Sequence, residues 1–257
     1  MWLRLRQIAL VAAELSPAVD ALTSVLGIDV CFNDPAVRTF GLENALMPVG
    51  NQFIEVVAPI EEGTAAGRYL DRRGGDGGYM VITQCDDHDP RRARIEALGV
   101  RQAFSFETPG EFRNVQLHPK DTGGSFFEID EQQGPGAHDA DGPWEPAGPH
   151  WTDHRRLDTV DGLVAAELQA DDPDALAGRW AEIAEIPVSR DPQGAPIVRL
   201  QNAELRFVPC ADGRPEGLGG LDIRTVDAVK VFAAADARGV PRTGNTIELV
   251  GMRIRLV

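Results

Sequence analysis

The feature that most constrains the fold of this chain is an internal repeat. Four times, an apolar strand is followed by a polar turn and then by a short helical segment. The predicted strands cover residues 3–13, 78–85, 163–169 and 221–225. Because a repeated supersecondary unit predicts a repeated architecture, the repeat decides the fold class before any motif does.

The predicted helices share their starting and ending signals. Each is expected to begin at a residue whose side chain accepts a hydrogen bond from a free backbone N–H of the first turn. These residues are Ser16, Asp89, Asp172 and Asp227, the first three of which precede a proline. Proline suits the first helical position, where its missing N–H removes no hydrogen bond. Glycines that follow the helices predict their ends.

Sequence that alternates apolar and polar residues follows each helix and predicts β-hairpins. The clearest internal match is between two segments of the second half, which align without gaps. The four hairpin segments are 45–57, 114–130, 198–208 and 247–257. The repeated unit is therefore βαβββ, present four times, and the predicted fold class is α+β.

A segment rich in proline and glycine divides the chain between its second and third units. We predict a first domain at 1–130, a linker at 131–160 and a second domain at 161–257. Because proline restricts the backbone, the linker is expected to be semi-extended. Its residues Trp144 and Trp151 indicate that it lies against a folded domain.

The charge balance excludes some classes of partner. The 257 residues include 25 Lys and Arg against 40 Asp and Glu, a net charge of −15. Such a surface repels nucleic acid and anionic lipid, so neither is an expected partner. No apolar run reaches the roughly 20 residues that span a bilayer. The three cysteines are far apart in sequence, which favours a reducing, cytoplasmic setting.

Three segments carry a resemblance to a known family: 54–60 (IEVVAPI), 68–78 (RYLDRRGGDGG) and 117–130 (LHPKDTGGSFFEID). With the paired βαβββ units, they resemble the vicinal oxygen chelate superfamily, which includes glyoxalase I, methylmalonyl-CoA epimerase and the bleomycin-resistance proteins. The first domain is most similar to the epimerase branch. The resemblance implies two glyoxalase-like open barrels, each built from two modules around one site.

In that superfamily, four strand positions supply the metal ligands, and the resemblance places them at Gln7, Glu55, Met80 and Glu128. Gln7 and Met80 stand where the family usually has histidine. A thioether is a poor ligand for a hard ion, so Met80 is expected to line the pocket wall. If a divalent metal is the cofactor, the implied ligands are Gln7, Glu55 and Glu128; otherwise no cofactor is expected.

The resemblance also implies roles for these side chains in moving a carbon-bound proton. Glu55 and Glu128 would be an acid–base pair, since two close carboxylates push one pKa upward. His118 is a candidate donor to the developing negative charge. Gln7, Tyr79 and Met80 would contact the substrate. Two ordinary interpretations stay open: both glutamates simply bond to Gln7, and His118 is a strand-end residue.

Two further predictions concern the turn and the second domain. Lys120 would meet an anionic group of the substrate or is an exposed turn lysine. In the second domain, the four ligand positions correspond to Ala165, Arg206, Asp222 and Arg255, which predicts a degenerate barrel. Its two arginines would bind an anion or pair with acids.

Three hypotheses about function follow. The first is a protein that binds a small carbonyl or carboxylate compound in the first barrel and catalyses an isomerase-type or lyase-type proton transfer. The second is a non-catalytic protein that sequesters a small molecule, as bleomycin-resistance proteins do. The third is a structural dimerisation module, and a homodimer is the expected assembly.

Overall fold

The computed structural model describes residues 1–257 and contains two mixed β-sheets, one of seven strands and one of eight. The strands are β1 (Leu3–Val11), β2 (Leu42–Val49), β3 (Gln52–Pro59), β4 (Gly77–Cys85), β5 (Gln102–Thr108), β6 (Phe112–Leu117), β7 (Phe126–Gln132), β8 (Val160–Ala170), β9 (Val188–Arg190), β10 (Pro196–Arg199), β11 (Glu204–Pro209), β12 (Gly217–Thr225), β13 (Arg242–Thr243), β14 (Thr246–Leu249) and β15 (Met252–Leu256). The α-helices are α1 (Leu15–Leu26), α2 (Ala65–Arg73), α3 (His88–Ala97), α4 (Pro173–Ala184) and α5 (Ala228–Ala237). Short 3-10 helices lie at Pro35–Phe40, Glu145–Ala147 and Trp151–His154.

The strand pairings confirm the fourfold repeat. In every module the first strand pairs in parallel with the last: β1 with β3, β4 with β7, β8 with β11 and β12 with β15. Parallel neighbours need a crossover connection, which the module's helix begins. The strand orders are β2-β3-β1-β4-β7-β6-β5 and β13-β14-β15-β12-β8-β11-β10-β9. The predicted α+β class with βαβββ modules is confirmed.

The first module departs from the common plan. Its second strand is reduced to a single bridge between Phe32 and Leu46. The last strand of this module, β3, is followed by helix α2, which occupies part of the segment 68–78. The Thr64 side chain accepts a hydrogen bond of 3.0 Å from the N–H of Gly67 and so caps this helix. Gly74 ends it with a left-handed backbone at φ 75°.

Two of the four predicted helix starts are confirmed. The carboxylates of Asp172 and Asp227 each accept a backbone N–H of the first turn at 3.0 Å. The other two predictions were wrong. Helix α1 already includes Ser16, and helix α3 is capped by Asp87 instead of Asp89. A capping residue needs a non-helical backbone, and Ser16 and Asp89 lie inside their helices.

The predicted hairpin turns are confirmed, and Gly50 and Gly251 show why glycine is needed in them. Gly50 and Gly251 adopt left-handed backbones at φ 64° and 66°. A Cβ at Gly50 would lie 2.0 Å from the carbonyl oxygen of Asp161, and one at Gly251 would lie 1.8 Å from that of Asp76. Any side chain at these positions would therefore force the neighbouring backbone to move.

By contact density, the chain divides into two compact units, each assembled from three stretches of chain. Unit 1 comprises Met1–Arg6, Tyr79–Glu145 and Ala165–Leu218. Unit 2 comprises Gln7–Gly78, Pro146–Val164 and Gly219–Val257. The domain bounds at 130 and 161, drawn from the repeat, stay a prediction.

Each unit has its own apolar core. In unit 1, Trp180 of α4 is fully buried and stacks on Phe127 of β7, with ring centroids 4.3 Å apart. Its indole N–H donates to the carbonyl oxygen of Thr122 at 3.1 Å. In unit 2, Phe53 of β3 packs edge-on against Trp151 at 5.0 Å.

Part of the predicted linker is held in unit 1 by two buried arginines of β1. We call residues 137–142 the strap. Arg4 and Arg6 donate to five of its carbonyl oxygens at 2.9 to 3.3 Å. The guanidinium of Arg6 also lies over the ring of Trp144, at 5.4 Å from its centroid. Both linker tryptophans, Trp144 and Trp151, are buried.

Candidate functional site

Gln7 and Glu55, two of the predicted ligands, form a hydrogen-bonded cluster in unit 2. The side-chain amide of Gln7 on β1 donates to Glu55 Oε2 at 2.8 Å. The amide of Asn44 on β2 donates to Glu55 Oε1 at 2.6 Å. All three side chains are buried. Both carboxylate oxygens of Glu55 are therefore occupied by N–H donors.

Met80 and Glu128, the other two ligand positions, meet in unit 1 at the side chain of Gln116. The Gln116 amide donates to Glu128 Oε2 at 2.9 Å and contacts Met80 Sδ at 3.4 Å. Gln116 on β6 is the register partner of Glu128 on β7. The side chains of register partners lie on the same face of a sheet, which explains the contact.

Asp130 lies beside Glu128, and sequence reasoning missed it. It is fully buried on β7, opposite Asn114 of β6. Neither of its oxygens has a donor in hydrogen-bonding geometry, which an ionised carboxylate would require. Burial, and then the neighbouring charge of Glu128, raise the pKa of Asp130 well above its ordinary value. Its spacing of two residues from Glu128 was the available signal, because side chains at i and i+2 of a strand share a face.

Glu128 is also affected by burial, which raises its pKa. The hydrogen bond from the Gln116 amide opposes that shift. Burial therefore raises both pKa values, that of Asp130 further than that of Glu128. We call Asn114, Gln116, Glu128 and Asp130 the carboxyl–amide cluster.

Two exposed aromatic residues continue the face that carries this cluster. Phe104 and Phe106 of β5 are the register partners of Gln116 and Asn114. Their ring centroids lie 5.8 Å apart, and Phe106 is 5.7 Å from buried Phe112. Sequence reasoning missed both, because alternating apolar residues on an edge strand look like ordinary core positions.

The remaining predicted residues also lie in unit 1. His118 follows β6. Its ring Nδ1 accepts a hydrogen bond from the backbone N–H of Lys120 at 3.1 Å, and its backbone N–H donates to the Arg101 carbonyl oxygen at 2.8 Å. Lys120 is exposed on the turn. Tyr79 is buried edge-on against the ring of Phe126, at 5.0 Å. The catalytic and binding roles of these three residues stay predictions.

The residues at the ligand positions do not fit a divalent metal ion. A cation needs free lone pairs, but Glu55 receives two amide N–H donors and Glu128 receives one from Gln116. Met80 contributes a thioether, which suits soft ions only. No cluster of three or more His, Cys, Asp or Glu side chains is arranged to hold a metal.

The arginines of the second half pair with acidic side chains. In unit 1, Arg206 donates to Glu167 Oε2 at 2.9 Å. In unit 2, Arg255 forms a bidentate ion pair with Asp222. Of the two predicted alternatives, pairing with acids is the one observed.

Residues 8–184 match the glyoxalase-like domain family. The chain belongs to this family. Its fold is similar to that of a triple mutant of 4-hydroxymandelate synthase from Streptomyces coelicolor, at a TM-score of 0.67 and 16% identity, over 94% of this chain and 77% of that one. The resemblance to the vicinal oxygen chelate superfamily, with a two-domain architecture, is thus confirmed.

Shorter members of the superfamily match half of the chain. A variant of methylmalonyl-CoA epimerase from Streptomyces coelicolor aligns at 22% identity and a TM-score of 0.45, over 50% of this chain and 96% of that one. The epimerase from Mycobacterium tuberculosis aligns at 25% identity and a TM-score of 0.45, over 51% and 88%. No curated protein sequence matches the chain significantly. No helix has the length and apolar character needed to cross a membrane.

Proposed function

We propose that this glyoxalase-like protein binds a small carbonyl compound on the face of unit 1 that carries the carboxyl–amide cluster, and that it does so without a metal. The observation that carries the proposal is the buried carboxyl pair beside the amide of Gln116. Glu128 and Asp130 can exchange a proton with a bound molecule, and Gln116 can donate to an oxygen. Half-buried Met80 contacts the same Gln116 amide.

The chemistry that fits these groups is proton transfer next to a carbonyl group. The Glu128 carboxylate would take a proton from the carbon beside the carbonyl. The electron pair of the broken C–H bond would then move onto the carbonyl oxygen. The Gln116 amide, with His118 as the predicted second donor, would stabilise that oxygen. Return of the proton to carbon completes an isomerisation. The expected roles of Gln7 and Glu55 in unit 2 stay predictions.

Solvent-deuterium exchange tests this proposal. The protein is incubated in D2O with a panel of 2-oxo acids, acyl-CoA esters and aryl ketones, and exchange is followed by NMR. Glu128→Gln should lower the rate of exchange at least 100-fold, the usual contribution of a general base. Glu96→Gln, on the exposed face of α3, is the matched control and should leave the rate unchanged. Equal rates for Glu128→Gln and the natural protein would contradict the acid–base role.

A non-catalytic binding protein is the second candidate, and the cluster of unit 2 favours it. Glu55 is held by two amide donors, which bond to both of its oxygens and would compete with a substrate proton for them. A thermal-shift screen separates the two candidates. Compounds that raise the melting temperature while showing no exchange or turnover would support sequestration, because any ligand of the native state stabilises it.

A further inference from the structure

The guanidinium of Arg4 is buried among uncharged acceptors. Its exposed fraction is 7%, and it donates to the side-chain oxygen of Gln84 at 2.7 and 3.0 Å. Its other hydrogen bonds, of 3.0 to 3.3 Å, go to the carbonyl oxygens of the first three strap residues, 137–139. Burial lowers the pKa of Arg4, because a buried cation loses its hydration. A buried cation is stabilised best by an anion, and none of these acceptors carries a charge.

A second buried guanidinium lies beside the first. Arg6 is two residues further along β1, and it donates to the carbonyl oxygens of Ala140 and Gly142 at 2.9 Å. Burial, and then the neighbouring charge of Arg4, lower the pKa of Arg6 to about 9. Two buried cations that repel each other form a favourable site for one anionic group, because a carboxylate or phosphate accepts hydrogen bonds from both.

The strap covers these arginines with its backbone. Its four middle residues, 138–141, are exposed, and only Ala137 and Gly142 are buried. Gln84 adds one hydrogen bond of 2.8 Å to the Ala137 carbonyl oxygen. The edge contact of His138 with the ring of Trp2, at 5.3 Å, adds a side-chain contact. The strap would therefore lose few apolar contacts if it lifted away from the arginines.

The strap can move as one piece, because its two ends meet. A Cβ at Gly142 would lie 2.2 Å from the carbonyl oxygen of Gly136, which has a left-handed backbone at φ 72°. A cavity of about 430 Å³ is lined by strap residues 137–139, by Asp86 and by residues 131–134. This cavity leaves room for the strap to swing without any movement of the sheet.

The acidic side chains of the strap would move together with it. The charge of Asp139 favours the charged form of Arg4, and that of Asp141 favours the charged form of Arg6. Both aspartates would leave the arginines when the strap lifts. An anion in the place of the strap would restore the lost negative charge. It would also replace neutral acceptors by charged ones, whose hydrogen bonds are roughly twice as strong.

The arginines lie on the face that carries the carboxyl–amide cluster. Gln84, which accepts from Arg4, is the register partner of Asp130, and Asp130 is in turn the partner of Asn114. The side chains of register partners share one face of a sheet. A compound that extends from the cluster towards β1 therefore meets the strap.

We propose that the strap is a hinged lid over an anion site formed by Arg4 and Arg6, and that a carboxylate or phosphate group of the ligand opens it by replacing its carbonyl oxygens. The carbonyl group of the same ligand would lie at Gln116. The inference thus rests on the proposed function for one end of the ligand, and it adds an anionic group at the other end.

Three probes of matched shape test the anion site. Phenylglyoxylate carries a carboxylate on a ketone, benzoylphosphonate carries a phosphonate in its place, and methyl phenylglyoxylate is the uncharged ester. None has a hydrogen on the carbon beside the ketone, so binding is measured without the proposed proton transfer. In NMR titrations at pH 7 and constant ionic strength, at least one anion should bind tenfold more tightly than the ester. The tighter anion identifies the group, and an ester that binds as tightly as both anions would overturn the proposal.

The carbonyl groups of the strap report whether it opens. Saturation with the tighter anion should shift the backbone ¹³C resonances of the carbonyl groups in residues 137–142, because they lose the hydrogen bonds of the arginines. Saturation with the ester should leave these resonances in place. An anion that binds without shifting them does not displace the strap, and that result would also overturn the proposal.

Two substitutions with opposite effects separate a lid from a merely structural loop. Arg4→Gln should weaken binding of the anion at least tenfold and leave binding of the ester unchanged. Gly142→Ala keeps both arginines but prevents the strap from closing, since its Cβ would meet the Gly136 carbonyl oxygen. It should therefore strengthen binding of the anion at least threefold; unchanged or weaker binding would show that the strap does not compete with the anion. Arg199→Gln, at an exposed position, is the control, and circular dichroism verifies folding.

The outcomes distinguish this inference from the proposed function. If Arg4→Gln and Gly142→Ala change anion binding as expected while Glu128→Gln leaves deuterium exchange unchanged, the lid stands and the acid–base role fails. If exchange depends on Glu128 but neither variant changes anion binding, the proposed function stands and the lid is wrong.

Discussion

Replacing Asp130 by asparagine should make the protein more stable at neutral pH. Asp130 is fully buried, and neither of its oxygens has a donor in hydrogen-bonding geometry. Side chains two residues apart on a strand are separated by about 6.6 Å. At an effective dielectric constant near 20, two unit charges at that distance repel by about 2.5 kcal/mol. Ionisation of both Asp130 and Glu128 would thus cost at least this much.

If Asp130 instead keeps its proton in the folded protein, the fold also loses stability at neutral pH. An unfolded aspartate ionises near pH 3.9, whereas burial and Glu128 raise the pKa of Asp130 in the folded protein. Below pH 3.9 the Asp130 carboxyl group is protonated in both the folded and the unfolded state, so its ionisation takes nothing from the free energy of unfolding. As pH rises from there towards the folded pKa, stability is lost at about 1.4 kcal/mol for each pH unit. At pH 7 this loss is at most about 4 kcal/mol.

Asparagine imitates the neutral acid without a proton to lose. It would lie opposite Asn114, the register partner of residue 130. We therefore expect the free energy of unfolding of Asp130→Asn to exceed that of the natural protein by between about 2.5 and 4 kcal/mol at pH 7. Near pH 4 the two free energies should be equal. Urea unfolding at four pH values from 4 to 8.5 measures this difference.

An exposed aspartate gives the control. Asp71, on the solvent side of α2, should give no pH-dependent difference when replaced by asparagine. If Asp130→Asn is less stable than the natural protein at pH 7, or if the difference does not change with pH, then Asp130 is ionised and the reasoning is wrong.

Three further predictions follow from buried groups. Trp180→Ala should destabilise the protein by about 3 to 5 kcal/mol in urea unfolding, because it leaves a cavity beside Phe127, whereas Trp180→Phe should cost less; equal costs would contradict the stacking argument. His88, whose pKa burial lowers to about 4, should stay neutral in 15N NMR spectra down to about pH 5, and stability should fall as pH drops from about 6.5 to 4; a ring that titrates near 6.5 would refute this. Glu55→Gln should leave cobalt retention after dialysis unchanged and negligible, since Glu55 is already bonded by amides; stoichiometric cobalt lost on substitution would show a metal site.

The sequence was sufficient to predict the fold because its signals are local. Alternation of residues and turn composition predicted the hairpins at Gly50 and Gly251, and both formed as expected. The errors in the helix starts were also local. Two carboxylates lie two residues apart at α3, and only the backbone conformation shows that Asp87 is the cap.

The candidate site could be predicted only in part. The resemblance led to Glu128, because that position belongs to a strand motif. It could not lead to Asp130, since the burial of that side chain depends on tertiary packing. It also could not lead to Phe104, because the position of that ring opposite Gln116 depends on the register between β5 and β6. Strand register is set by pairing between distant residues, and a single sequence does not reveal it.

The division of each compact unit among three stretches of chain has a consequence for how this protein can be cut. A shorter chain that ends at residue 160 would keep Phe127 but lose Trp180, its stacking partner in unit 1. Such a fragment would expose a large apolar surface and should be insoluble alone. A cut within 146–156 of the folded protein should instead leave two pieces that stay associated, because residues 165–218 remain packed within unit 1. Fragments that fail separately should therefore restore the fold when they are made together.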